Sequence, residues 1–210
     1  MKICNARLAF FITKVSDLLL KGGTNNYNYR DLRHANEDKL VKDCLKGSRK
    51  AHSRLYRLYK DRMFGVCLRY ASSEAEANDM LQEGFIRVFQ GLHQFRSDSP
   101  LYYWVKRVVV NAALGYLRKH KARTEKEEPL TEHTPEIKME PAETENVDEL
   151  LWHIQKLPVE LRSVFNLYTI EGYAHKEIAE MLNISEANSK VRLMRARQAL
   201  QQQLKKSMTA

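Results

Sequence analysis

The spacing of apolar residues constrains the fold of this chain more than any other feature. Apolar side chains recur at positions i, i+3, i+4 and i+7 on both sides of a polar central stretch, and no stretch alternates with a sustained period of two. The first spacing gives a helix one apolar face, whereas a half-buried strand needs the alternation. The chain is therefore predicted to be all-α, with helices at 38–46, 49–70, 74–92, 100–120, 148–155, 159–170, 174–182 and 186–204.

Several of these helix ends coincide with residues that favour them. Ser72 and Ser73 can cap the helix that begins at 74, and Ser185 can cap the last helix. Pro158 suits the first turn of a helix, and Gly172 suits the position just past a helix end. The predicted boundaries thus rest on capping chemistry as well as on periodicity.

The polar central stretch is predicted to be a linker. Residues 124–148 contain three of the five prolines, and Glu and Thr replace nearly all apolar residues there. Such a composition buries too little apolar surface to fold, so we predict a flexible acidic segment. It separates a helical domain over 38–123 from a second one over 149–206, and residues 1–37 are expected to form a poorly ordered extension.

Charge is distributed unevenly among these segments. Residues 38–123 carry 18 Lys and Arg against 8 Asp and Glu, whereas the linker carries 2 against 9, within a net charge of +9 for the chain. A strongly basic domain attracts polyanions by releasing their counterions, and an acidic segment repels them. The distribution favours a polyanionic partner for the basic domain.

Composition argues against several other classes of protein. Cys4, Cys44 and Cys67 form no C-x-x-C pair and have no histidine at metal-ligand spacing, so we interpret them as reduced structural thiols and expect no metal site. His153 and His175 could join a ligand set only by chance of folding. No apolar run approaches the ~18 residues of a membrane span, and no signal-peptide cleavage site follows the weak apolar stretch near the start. We expect a cytoplasmic protein with no membrane insertion and no cofactor.

The predicted helix over 74–92 has two contrasting faces. At 100° per residue, its apolar face holds Leu81, Phe85, Val88 and Leu92. The opposite face carries acidic and polar residues around one apolar residue, namely Asp79, Gln82, Glu83, Ile86 and Gln90. This face is either an ordinary solvated surface or a docking site for a basic partner helix.

The predicted helix over 100–120 combines a wide apolar arc with a polar face that holds Trp104, Arg107, Asn111, Arg118 and Lys119. A tryptophan ring can stack on an unpaired base, asparagine can hydrogen-bond a base edge, and the cations can hold phosphates. Tryptophan is also frequently a core residue, which is the alternative for Trp104. Its polar neighbours on the same face favour contact with nucleic acid.

Residues 174–204 have the pattern of a helix-turn-helix, with the turn at 183–185. On the second helix, the side expected to be buried holds Ser189, Leu193, Ala196 and Leu200. The residues that point away from it or flank it are Asn188, Lys190, Val191, Arg192, Met194 and Arg195. Valine can meet thymine methyl groups and arginine can pair with guanine, so this helix is predicted to read base edges. The alternative is a basic amphipathic helix that packs elsewhere.

Together these motifs resemble the extracytoplasmic-function (ECF) sigma factors of bacterial RNA polymerase. The first domain is similar to the family patterns A-E-D-x-x-Q-E-x-F, at 77–85 with Asn78 in place of the glutamate, and W-x-x-R-x-x-x-N, which it matches at 104–111. The second domain is similar to L-P-x-x-x-R-x-V-F, E-G-Y-x-x-K-E-I-A and R-A-R, which it matches at 157–165, 171–179 and 195–197. The likeness covers all of the chain except the N-terminal extension, the linker and the last few residues.

The resemblance implies a protein without catalytic residues that binds core RNA polymerase and directs promoter recognition, promoter melting and transcription initiation. The docking face, which we define as Asp79, Gln82, Glu83 and Ile86, would contact the clamp helices of the polymerase. The flap of the polymerase would be a second contact. An anti-sigma factor is a further partner that the resemblance suggests.

The resemblance also divides promoter DNA between the two domains. The melting strip, which we define as Trp104, Arg107, Asn111, Arg118 and Lys119, would capture and melt the −10 element together with the loop over 94–99. The reading face, which we define as Asn188, Lys190, Val191, Arg192 and Arg195, would recognise the −35 element.

Two other classes of protein share part of this pattern. A helix-turn-helix repressor or activator acting alone would account for residues 174–204, but not for the docking face or for the Trp-Arg-Asn helix. A helical enzyme acting on nucleic acid would need clusters of metal-binding carboxylates, which the sequence lacks.

Overall fold

The computed structural model describes the backbone of residues 27–124 and 147–207, and the side chains of 36–120 and 151–204. The described residues form α-helices, short 3₁₀- and π-helical turns and no strand, which confirms the all-α prediction. The helices are α1 (Tyr27–Leu45), α2 (Arg49–Tyr70), α3 (Glu74–Gly91), α4 (Leu101–Thr124), α5 (Val147–Gln155), α6 (Val159–Phe165), α7 (His175–Leu182) and α8 (Glu186–Ser207). Helices α1–α4 belong to one compact unit and α5–α8 to another. Most of the predicted linker lies outside the described residues.

In the first unit, α2, α3 and α4 pack around a common apolar core. Its fully buried side chains come from all three helices and include Leu55, Met63, Met80, Val88, Leu101 and Val109. The backbones of α3 and α4 approach closely at Gly84, where an added Cβ would lie 3.1 Å from Cγ2 of Val109. Because interiors are close-packed, a larger residue would push the two helices apart. Gly84 therefore sets the spacing between the helices that carry the docking face and the melting strip.

The first helix begins earlier than predicted. It starts at Tyr27 rather than at 38, so residues 27–37 belong to α1, while residues 1–26 lie outside the described part. Glu37 accepts hydrogen bonds from the Tyr59 hydroxyl (3.3 Å) and from the backbone N–H of Leu101 (3.1 Å). A carboxylate there satisfies an amide at the start of α4 and interacts favourably with the positive end of the helix dipole. The start of α4 is therefore held by a residue of α1 that lies 64 positions earlier in the chain.

Predicted caps are confirmed at the start of α3 and of α8. The Ser73 hydroxyl accepts from the N–H of Glu76 (3.2 Å), and the Ser185 hydroxyl accepts from the N–H of Asn188 (3.1 Å). Each bond satisfies one of the amides that a helix start leaves without an intrahelical partner. The helix over 100–120 continues further than predicted, since α4 ends at Thr124.

The helix predicted over 159–170 is divided in two. Pro158 precedes α6 as predicted, but α6 ends at Phe165 and a π-helical turn follows over Asn166–Ile170. In this turn the N–H of Glu171 donates to the carbonyl of Asn166 at 2.9 Å, a bond that spans five residues. Gly172 ends the segment with a φ of +81°, in agreement with the prediction.

Helices α7 and α8 form the predicted helix-turn-helix. Asn183 adopts a left-handed conformation (φ 53°) in the turn, which asparagine tolerates better than most residues. The side of α8 that was predicted to be buried is buried in the structure: Ser189, Leu193, Ala196 and Leu200. The helix phase assumed from the sequence is therefore correct for α8.

A buried arginine explains one motif of the second unit. Arg162, within the L-P-x-x-x-R pattern, is 1% exposed, and its Nη1 donates to the carbonyl of Gln155 at 3.0 Å. Gln155 is the last residue of α5, where carbonyls have no intrahelical partner. The arginine therefore joins the end of α5 to α6.

The thiols and histidines have structural surroundings. Cys44 and Cys67 are buried and form no disulfide, and burial raises the pKa of the Cys67 thiol to about 12, so it stays protonated at neutral pH. His153 and His175 lie within hydrogen-bond distance of Gln203 and Ser189, and no cluster suited to a metal ion occurs among the described residues. Within 27–124 and 147–207, no helix has the length and apolarity to cross a membrane.

Candidate functional sites

The docking face lies on the side of α3 that points away from the core. Asp79, Gln82 and Ile86 are exposed, and Ile86 leaves 52% of its surface in contact with solvent. Glu83 is half-buried and paired with Arg87, whose Nη2 and Nε lie 2.7 and 2.9 Å from Oε1. The face is therefore acidic and polar, with one accessible aliphatic side chain and with part of its negative charge already paired.

An open groove joins the docking face to α4. It is lined by all four docking-face residues together with Arg87, Tyr116 and Lys119. The Tyr116 hydroxyl donates to Oδ2 of Asp79 at 3.4 Å, a long hydrogen bond. Lys119, which is predicted to belong to the melting strip, also lines this groove. Tyr116 is not among the predicted site residues, because only the packing of α3 against α4 brings its hydroxyl to Asp79.

Trp104 is half-buried at the start of α4. Its ring meets Phe95 edge to face, with centroids 5.7 Å apart and planes at 60°, and it lies beside Gly91, where an added Cβ would be 3.8 Å from Cζ2. The ring thus packs under the segment between α3 and α4 and keeps one part accessible. This position is compatible with both alternatives for Trp104, since the ring packs on Phe95 and is also partly accessible to solvent.

The segment beside Trp104 is anchored to α1. Ser97, with a φ of 60°, donates its hydroxyl hydrogen to Oδ1 of Asp38 at 2.7 Å. A non-glycine residue in this conformation costs energy that the surrounding contacts must offset. The loop over 94–99 is therefore held next to the tryptophan.

The rest of the melting strip is exposed along α4. Arg107 and Asn111 lie within two turns of Trp104, and both side chains reach solvent. Arg118 is also exposed, but at 1.5 Å per residue it lies roughly 21 Å along the axis from Trp104. Trp104, Arg107 and Asn111 can thus meet one short stretch of nucleic acid, whereas Arg118 can contact only a more distant phosphate.

The reading face occupies the exposed side of α8. Val191 is 40% exposed and Arg195 is also exposed, and Arg195 forms no side-chain hydrogen bond or ion pair with any described residue. Asn188 and Arg192 interact with each other, since Nε of Arg192 donates to Oδ1 of Asn188 at 3.0 Å. The reading face therefore contains one arginine available for a base and one already bonded to a neighbour.

Lys190 is also engaged before any DNA is bound. Its Nζ lies 2.7 Å from Oε1 of Glu186, one turn earlier on α8. This hydrogen bond and the charge of Lys190 lower the pKa of the Glu186 carboxyl. Both groups are well exposed, and such surface pairs exchange readily, so Lys190 can release Glu186 and contact a phosphate.

Two family profiles match the two units. The profile described as Sigma-70 region 2 matches residues 55–123, and that described as Sigma-70, region 4 matches residues 150–200. The chain is 30% identical over 181 residues to the ECF RNA polymerase sigma factor SigW of Bacillus subtilis, covering 80% of this chain and 96% of the relative. It is 28% identical over 179 residues to the ECF RNA polymerase sigma-E factor of Haemophilus influenzae, covering 79% and 93%.

A solved structure has a similar fold. The sigma factor RpoE of Bartonella quintana, in complex with the anti-sigma factor NepR, matches with a TM-score of 0.53 at 19% identity. The match covers 73% of this chain and 96% of that one.

Proposed function

Because this chain belongs to the ECF RNA polymerase sigma factors, and so is a promoter-recognising transcription initiation factor, we propose that its three surfaces divide that work. The docking face binds core RNA polymerase, the melting strip opens the −10 element, and the reading face recognises the −35 element. The observation that supports this division is the arrangement of α3 and α4, which carry an acidic polar face and an aromatic basic strip within one compact unit.

The docking face suits a basic helical partner. Asp79 supplies negative charge, Gln82 supplies hydrogen bonds, and Ile86 supplies an apolar contact at the centre. Complementary charge around an apolar centre is a frequent composition for a protein interface. We assign this face to the clamp helices of the polymerase, and a second polymerase contact, with the flap, to the unit that contains α5–α8.

The melting strip would act by binding rather than by bond chemistry. Trp104 is partly accessible and can stack on an unpaired base, while Arg107 and Asn111 are exposed on the same helix to hold phosphate and base edge. Binding energy that is available only from separated strands shifts the equilibrium toward open DNA. Nucleotide addition would remain the task of the polymerase.

An anti-sigma factor is the further partner that we propose. RpoE of Bartonella quintana was solved with such a protein, NepR. A protein that covers Ile86 and its polar surroundings would compete directly with the polymerase for the docking face.

The −35 assignment predicts different effects for two cations of α8. Arg195→Ala should cost about 1–3 kcal/mol on the preferred promoter and relax preference at about one or two base pairs, because a free guanidinium can pair with a base edge. Lys190→Ala should weaken all promoters alike and flatten the salt dependence by about one unit of slope, because it contacts phosphate. The measurement is competition among promoters with a randomised −35 hexamer, at two salt concentrations, using holoenzyme.

The two variants serve as controls for each other. Undiminished base selectivity in Arg195→Ala would exclude Arg195 as a reader. Loss of selectivity in Lys190→Ala would mean that the DNA-facing side of α8 is rotated toward Lys190. A helix-turn-helix protein that acts alone would give the same result without polymerase, so the assay is repeated with the free chain.

A further inference from the structure

Four side chains link three elements of the second unit. Nδ1 of His175, the first residue of α7, lies 2.9 Å from Oγ of Ser189 on α8. The His175 ring stacks on Tyr168 of the π-helical turn, with centroids 4.5 Å apart and planes at 21°. The guanidinium carbon of Arg197 lies 5.8 Å from the centre of the Tyr168 ring. His175 is therefore restrained on one side by an aromatic ring and on the other by a hydroxyl.

Ser189 is an unusual residue for its position. It is fully buried in the strip of α8 whose other members, Leu193, Ala196 and Leu200, are apolar. A buried hydroxyl without a partner costs about 1–3 kcal/mol, so an alanine would suit packing alone at least as well. The hydroxyl gains a directional bond across the helix-turn-helix, and its partner is His175. In the sequence Ser189 lies between Asn188 and Lys190 of the reading face, although its own side chain is buried.

The π-helical turn supplies the surface behind His175. Its extra residue per turn changes the direction of side chains relative to an α-helix, and such turns occur frequently at functional sites. Here it places Tyr168, 37% exposed, against the imidazole. Without that ring, His175 would have rotamers that turn Nδ1 away from Ser189. The stack therefore selects the orientation in which the hydrogen bond forms.

The charges around His175 favour its neutral form. Burial and the charge of Lys190 lower its pKa, and Arg197 acts in the same direction, while Glu186 opposes them. The imidazole is thus neutral at pH 7, and its Nδ1 and the Ser189 hydroxyl share one hydrogen, with the tautomer deciding which group donates.

We propose that His175 is a positioning residue for −35 recognition, which sets the placement of α8 through Ser189 while Tyr168 holds its ring. This inference rests on the proposed reading function of α8. A base contact requires placement of the side chain within about 0.5 Å, so a small rotation of α8 would weaken every base contact while leaving phosphate contacts, which tolerate displacement, nearly intact.

The test compares variants of His175 in holoenzyme, using the randomised −35 competition. His175→Ala should reduce preference for the best hexamer over single-base variants by about tenfold, the effect of one lost hydrogen bond on placement. His175→Asn keeps a polar atom near the position of Nδ1 and should retain most of the preference. Tyr168→Ala removes the ring and should lower the preference as His175→Ala does, whereas Glu180→Gln, at an exposed position of α7, is the matched control with no change expected. Ser189→Ala should add nothing to His175→Ala in a double-mutant cycle.

Thermal unfolding separates positioning from stability. We expect His175→Asn to retain base selectivity even if its unfolding midpoint is as low as that of His175→Ala. Selectivity that follows the midpoint across all variants, or equal weakening on every hexamer, would overturn it. Arg195→Ala is measured in parallel: if it relaxes selectivity and His175→Ala does not, the positioning role alone fails, whereas unchanged selectivity in both overturns the reading function as well.

Discussion

Replacing Asp79 and Glu83 by lysine should reduce the affinity of the chain for core RNA polymerase at least about a hundredfold, because each like-charge juxtaposition at an interface costs several kcal/mol. The docking face would change from acidic to basic, and it would then repel a basic partner. Glu83→Lys also removes the partner of Arg87, which lies 2.7 Å away, so it leaves three cations on adjacent turns. The measurement is equilibrium binding of the labelled full-length chain to core polymerase.

The matched control is Asp61→Lys with Asp98→Lys, which makes the same change in net charge at exposed positions outside the docking face. This control should bind with affinity close to that of the unchanged chain. Asp79→Lys alone leaves the Glu83–Arg87 pair intact and should account for much of the loss of affinity. Unchanged affinity in the double variant, with native helicity by far-ultraviolet circular dichroism, would exclude α3 as the docking helix.

Trp104→Ala should slow promoter opening by about one to two decades, since loss of a stacking platform costs about 1–3 kcal/mol per base. The defect should appear on duplex promoters and largely disappear on templates with a pre-opened bubble at the −10 element, because a bubble supplies the strand separation that the stacking energy otherwise drives. Trp104→Phe keeps an aromatic face, so its rate of promoter opening should lie between the rates of the unchanged chain and of Trp104→Ala. The measurement is the rate of open-complex formation with holoenzyme.

The contacts of Trp104 make a second measurement necessary. The ring also packs on Phe95, so its removal leaves space under the segment between α3 and α4. A variant that acts only through melting keeps an unfolding midpoint near that of the unchanged chain. A large fall in the midpoint, with equal defects on duplex and bubble templates, would identify Trp104 as a core residue and reject its role in melting.

The sequence predicted the features that depend on residues close together in the chain. Periodicity identified all eight described helices, and the caps at Ser73 and Ser185 formed as expected because each involves residues only three positions apart. The buried strip of α8 followed from helical geometry alone. The pairs Arg192–Asn188 and Lys190–Glu186 are spaced i, i+4 and could have been predicted by the same geometry.

What the sequence did not predict depends on contacts between distant segments. The early start of α1 was missed because residues 27–36 are mostly polar, and the role of Glu37 depends on Tyr59 and Leu101. The π-helical turn covers only five residues, too few for a change of period to be recognised in the sequence. Tyr116 and Lys119 reach the docking groove only because α3 and α4 lie side by side. Helical phase identifies which side of a helix is exposed, but not which residues of two helices share a surface.

Reconstituted transcription tests most directly whether this chain directs RNA polymerase to promoters. Core polymerase is incubated with the full-length chain and a library of genomic fragments, and the 5′ ends of the transcripts are mapped. We expect discrete start sites that require the chain, share −10 and −35 elements, and disappear with the Asp79→Lys, Glu83→Lys variant. Transcripts that start at the same positions without the chain, or chain-dependent starts with no shared elements, would contradict this expectation.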